Sequence, residues 1–295
     1  MRPLFLLCSA AVLLCTTSCL RTSTVVRVKK DGTGTITSRY HFSPEMLAML
    51  EQLGKLGDAF GGAKGGAGAA GGADMALLQD LAKPDEASLK EDAAGFGEGV
   101  RYAKHEAGKD DDGWEGYSVV YEFDDIRKVR IDQESMPGKA KEFAKSAGED
   151  AKPAEAGSIT FDLQGDVLTI KSDFAKAGMG DVVNQEQFDQ AKQMGMKPSE
   201  SVKMAAGMTQ GMRVGYFVAV DGGIAETNAT HVTGDLITLS DADISKVLMD
   251  PDLGTFIDKV AADPKAVTPE QQKELLGKLE AMTIETKEAV TVKLK

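Results

Sequence analysis

Residues 24–42 read TVVRVKKDGTGTITSRYHF, and the Asp31-Gly32 pair near the centre decides how they fold. Asp-Gly between two runs rich in β-branched residues marks a tight hairpin turn, because glycine enters the positive-φ region at no steric cost. Strands are therefore expected over 24–29 and 33–42. On the second strand Ile36, Tyr40 and Phe42 share one face and Thr35, Thr37, Arg39 and His41 the other, so the hairpin has a dry side and a wet side.

The same grammar recurs along the chain. Segments 100–106 and 114–123 flank an acidic turn and align Tyr117, Val119, Tyr121 and Phe123, while 158–163 and 167–172 turn at Gly165-Asp166. Residues 214–220 are apolar on both faces, as in a central strand, and turn at Asp221-Gly222-Gly223 into 224–231. Residues 235–239 continue that sheet, and 289–294 alternate again. Helices interrupt the series. Ser43-Pro44 is an N-cap followed by proline, ahead of Met46, Met49, Leu50 and Leu53. Ser88 with Glu91 forms a capping box, and Asn184 with Gln187 offers a weaker start. Ser240 with Asp243 precedes Ile244, Val247 and Leu248, and Thr268-Pro269 opens a helix carrying Leu275, Leu276 and Leu279. Helices do not alternate with every strand, which argues against a doubly wound nucleotide-binding fold. The expected class is α+β, a twisted antiparallel sheet built from hairpins with several amphipathic helices packed on it.

Two stretches differ from this pattern. Residues 61–72 read GGAKGGAGAAGG and have almost nothing to bury, so a mobile loop is expected over 61–73. Residues 137–157, rich in Ala, Lys, Glu, Gly and Pro, read as a partly helical or disordered connector. The rest of 24–295 is expected to form a single composite domain, because the short strands are individually marginal.

At the N-terminus Arg2 is followed by an almost wholly apolar run over 4–15 and then by Thr16-Thr17-Ser18, the layout of an export signal over 1–18. The run is shorter than the ~20 residues that cross a bilayer. Its small residues end at Cys19, which resembles the lipobox of bacterial lipoproteins, whose cysteine is acylated and becomes the new N-terminus. Thr16 stands where leucine is usual, and ordinary cleavage near Ser18 is the alternative. Cys8 and Cys15 are the other cysteines, so the chain beyond Cys19 has no disulfide, thiolate metal site or cysteine nucleophile. The lipobox resemblance implies a lipidated tether over 19–23, palmitate-type acyl chains in the membrane and an extracytoplasmic place at the cell envelope. Leu20 rather than Asp after the cysteine implies the outer membrane where the host has two.

Composition narrows the function. Forty-six acidic against 34 basic residues give a net charge of −12, which argues against nucleic acid as a partner. Asp110-Asp111-Asp112-Gly113 lacks the ligand spacing of a calcium loop and reads as an acidic hairpin tip. Asp124 and Asp125 follow a strand end as paired carboxylates or, equally, as a turn and cap. His41, His105 and His231 lie on separate segments. No catalytic residue, metal ligand or cofactor motif is identified. Methionine is the less ordinary signal: Met179, Met194, Met196, Met204, Met208 and Met212 fall among small residues. Such flexible side chains either fill irregular core gaps or line an amphiphile groove, for which Met204, Met208 and Met212 are the candidates.

The lipobox-like cysteine, the block TSTVVRVKKDGTGTITSRYHF (22–42), the block MRVGYFVAVDGGIAETNATHVTGDLITL (212–239) and a closing amphipathic helix and strand together resemble exported lipoproteins of the LppM type. That resemblance implies a lipid-anchored α+β domain that binds envelope glycolipids or acts at the cell surface, and it carries no functional residue beyond Cys19. The glycine-rich insert and the long middle region depart from it. The expected function is a non-enzymatic envelope lipoprotein binding a lipid or another envelope component, its protein partner unknown. The alternatives are a purely structural lipoprotein and a hydrolase with a carboxylate site.

Overall fold

The computed structural model describes residues 20–48, 51–52, 82–132, 135–138, 157–173, 195–263 and 267–295. In chain order its strands are β1 (Leu20–Val28), β2 (Gly34–Phe42), β3 (Arg101–Lys109), β4 (Glu115–Phe123), β5 (Arg130–Ile131), β6 (Ile159–Gln164) and β7 (Val167–Ser172). They continue with β8 (Arg213–Val220), β9 (Ile224–Thr227), β10 (Val232–Thr233), β11 (Leu236–Asp243), β12 (Met282–Ile284) and β13 (Ala289–Leu294). Residues 44–48 are helical, as Ser43-Pro44 predicts, and the helices bounded within the described residues are α1 (Glu86–Asp92), α2 (Pro198–Met208), α3 (Ile244–Met249), α4 (Pro251–Ala262) and α5 (Pro269–Leu276). The class is α+β.

The strands divide between two sheets, one ordered β10-β11-β8-β1-β2-β4-β3 with β12 on β11, the other β5-β6-β7-β13-β9. Three expected hairpins form, β1–β2, β3–β4 and β6–β7, because each has an apolar face to bury and a turn between its strands. Among the described residues every strand pairing is antiparallel except β1 with β8, which run parallel from Arg21 beside Arg213 to Val28 beside Val220. The β8 strand is central, between β1 and β11, as its apolar faces predict. The expected β8 hairpin does not form: past Gly223 the chain leaves for the second sheet, where β9 pairs with β13.

One hydrophobic cluster joins the two sheets, with Val26, Val28, Ile36, Val218 and Val220 of the first packed with Leu168, Ile170, Val290 and Val292 of the second. A separate cluster is helical: Leu253, Ile257 and Ala261 of α4 meet Leu275, Leu276 and Leu279, with Met282 and Ile284 of β12 against them. The helix α4 was not anticipated, although Asp250 caps it through Asp252 N and Leu253 N and Pro251 opens it.

Several boundaries move. Residues 20–23, expected as part of a tether, are paired strand from Leu20 beside Phe42 onward. The expected capping residues Ser88 and Ser240 yield to Asp85 and Asp243, whose carboxylates accept from Ser88 N and Lys246 N at 2.8 and 3.1 Å. Segment 61–73, the Asn184 helix start and Cys19 lie outside the described residues, as does the 137–157 connector apart from Pro137, Gly138 and Gly157.

Candidate functional site

The inner face of β1 carries its even-numbered residues, and burial along it is uneven. Val26 and Val28 are at most 1% exposed, whereas Leu20, Thr22 and Thr24 are only half-buried. A cavity of about 280 Å³ lies over this first half of the strand, Leu20 to Thr24. Register explains its floor: Thr22 sits between Tyr40 of β2 and Val214 of β8, and Thr24 between Ser38 and Tyr216. Phe96, Ile131, Met136, Pro137 and Met212 complete the walls.

The wall segments at Asp132 and 135–138 are held by hydrogen bonds between side chains and backbone. Ser135 Oγ donates to Gly95 O or Arg130 O, at 3.2 and 3.0 Å, and accepts from Asp132 N at 3.1 Å. Gly138 N donates to Asp92 Oδ1 at 2.7 Å. The cavity is thus bounded by the first sheet and by a segment fixed to the 3₁₀ turn Ala93–Phe96.

The lining is mostly apolar with a few polar groups at its floor. Thr24 Oγ1 and Ser38 Oγ share a hydrogen bond of 3.3 Å. Burial raises the pKa of Tyr40 and of Tyr216, so both phenols stay neutral across the ordinary pH range. Tyr40 stacks on Tyr117 with ring centroids 5.2 Å apart. The Tyr117 hydroxyl is buried without a hydrogen-bond partner among the described residues. Such a lining can take an apolar chain and offer hydroxyls to a polar atom, and its one carboxylate among the described residues, Asp132, is paired with Arg130.

Of the methionines expected at a groove, the structure brings only Met212 to this cavity. Met204 is 60% exposed on α2, and Met208 ends that helix with its side chain outside the described residues. Leu20, Tyr40, Phe96, Ile131 and Tyr216 went unforeseen as wall residues because they come from distant segments. Tyr40 and Tyr216 lay on strands already read from the sequence, whereas Leu20, Phe96 and Ile131 fall outside every expected strand.

The carboxylates weighed for catalysis are engaged elsewhere. Asp124 holds Arg101 at 2.5 and 3.0 Å, and Asp125 accepts from Arg127 N at 3.0 Å. Asp110 accepts from Asp112 N and Trp114 N and pairs with Arg21, closing the β3–β4 turn. On the outer face Arg21, His41 and Arg213 form a cross-strand row in which burial lowers the His41 pKa, Asp110 opposing and Arg39 and Arg21 adding to the fall. No group of three or more His, Cys, Asp or Glu able to hold a metal ion occurs among the described residues.

No family model and no curated protein matches the chain. Among solved structures it is similar to the NMR structure of the folded domain of LppM from Mycobacterium tuberculosis, at 10% identity over 75% of this chain and 81% of that one, with a TM-score of 0.28. At that overlap the likeness assigns neither family nor function. Among the described residues no helix is long and apolar enough to cross a membrane.

Proposed function

We propose that the protein is an extracytoplasmic envelope lipoprotein, anchored through Cys19, that holds an amphiphile between its two sheets without chemically altering it. The observation that carries this reading is the inter-sheet cavity, mostly apolar in its walls with Asp132 and Ser135 on one side, hydroxyl-bearing at its floor, and begun by the residue that follows Cys19. Its volume of about 280 Å³ lies at the lower edge of the roughly 300–1,000 Å³ of small-molecule sites, so it suits one acyl chain rather than a whole two-chain lipid. The engagement of Asp124 and Asp125 with Arg101 and Arg127 favours binding over hydrolysis.

Native mass spectrometry of the protein extracted from membranes tests both halves. The N-terminal peptide should carry acyl chains on Cys19, and the intact protein should carry a non-covalent amphiphile. Val214→Phe places a ring in the cavity, and should abolish the bound amphiphile while keeping the acylation and costing less than the ~1–3 kcal/mol of overpacking a filled core. Wild-type protein without a bound amphiphile would leave the structural-lipoprotein reading instead. Unmodified Cys19 would remove the anchor.

A further inference from the structure

The strand β1 starts at Leu20, which is already paired with Phe42. One residue spans at most ~3.6 Å, so an anchor on Cys19 has almost no slack before the folded sheet begins. Resting on the anchoring reading above, we infer that the rim of the first sheet at the start of β1 lies directly on the lipid surface, so that the cavity exchanges its amphiphile with the bilayer itself. Register identifies what else stands at that rim. Phe42 pairs with Glu115, which brings the β3–β4 turn and Trp114 level with Leu20, and Arg21 beside Arg213 brings Met212 there from the other side.

The chemistry of the rim fits a zwitterionic interface. Trp114, half-buried, has an apolar body and a polar N–H, the combination that settles at headgroup depth. Met136, 41% exposed, shares the cavity wall with Leu20 and Met212, so apolar surface continues from the rim into the cavity. The basic groups are already matched: Arg21 by Asp110 and Asp112 at 3.0 and 2.5 Å, Lys109 by Glu115 at 2.6 Å, Arg213 by Asp241 at 2.6 Å. With these three charges paired, contact depends on the covalent anchor and on apolar surface rather than on anionic lipid.

The chain's single tryptophan makes the test direct. Acylated protein purified from membranes, its acyl mass verified, is reconstituted into phosphatidylcholine vesicles with plain or brominated acyl chains. Bromine should lower the Trp114 emission relative to plain vesicles, because a tryptophan settled at the membrane–water interface lies within reach of the acyl chains. The double variant Trp114→Phe, Lys30→Trp moves the probe to the β1–β2 turn, about 26 Å away along β1, and should not be quenched. Equal quenching at both positions, or none at Trp114 in acylated, vesicle-bound protein, overturns the lipid-facing rim alone. Protein that carries no acyl chain and does not float with vesicles overturns the anchoring reading and this inference with it.

Discussion

Glu285 is only 1% exposed, yet its carboxyl titrates below the ordinary glutamate range. Burial works against ionisation here, but Thr230 N donates to it at 2.6 Å, Thr230 Oγ1 at 3.0 Å and Lys287 N at 3.1 Å, and the Lys287 charge adds to the fall. The residue therefore staples the 228–231 loop to the turn between β12 and β13. Because the folded value is depressed, the stabilisation is whole above the unfolded glutamate's pKa of about 4.3 and drains away as pH falls through the folded value. Glu285→Gln keeps the shape and removes the charge, and should cost about 1.5–3 kcal/mol at pH 7. Urea unfolding followed from pH 7 downward should show the gap between wild type and variant closing below that pKa. A gap that stays constant with pH would mean that the charge contributes nothing.

At the scale of elements, period-two alternation exposed the hairpins because each pairs at least one strand that has a dry face, as β4 does beside the exposed β3, and glycine punctuated the turns. What alternation does not encode is which sheet a strand joins: 224–227 was expected beside β8 and pairs instead with β13, a partner more than sixty residues on. The helix α4 was signalled by Asp250-Pro251, the same cap-then-proline logic read at Ser43-Pro44, yet its apolar residues Leu253, Ile257 and Ala261 are sparse and find partners in Leu275, Leu276 and Leu279 and in β12 at the edge of the first sheet. The cavity was the least readable feature. Its walls come from the first two strands, the Ala93–Phe96 turn, 131–132, 135–137 and 212–216, and of the methionine cluster that suggested a groove Met212 is the one described residue found there. The separate helical cluster makes a specific expectation. Ile257→Ala, at a position 2% exposed, should lose about 2–4 kcal/mol of local stability. Hydrogen exchange should quicken across 251–262 while amides of β1 and β8 stay protected. Quickening throughout both sheets would show the two clusters to be one cooperative unit.

Over the whole molecule, the parallel β1–β8 pair joins strands separated by all of 29–212, so the first sheet cannot be completed until the middle of the chain has been placed. The second sheet depends in the same way on the last strand. β13 lies between β7 and β9 and contributes Val290, Val292 and Leu294, each at most 2% exposed, to the shared core. Deleting residues 289–295 would strip pairing from both neighbours and remove three buried apolar side chains at about 1.5–3 kcal/mol each. That loss is comparable with the entire ~5–15 kcal/mol stability of a typical domain. The truncated protein should therefore fail to give a cooperative unfolding transition, and its open β7 edge should promote association visible by light scattering. The contrasting case is Met204→Gln, at an exposed site on α2, which should leave the transition within about 0.5 kcal/mol of wild type. If the truncation instead unfolds cooperatively near the wild-type midpoint, the two sheets do not share one core, and the cavity walls supplied by β1, β2 and β8 must be fixed by the first sheet alone.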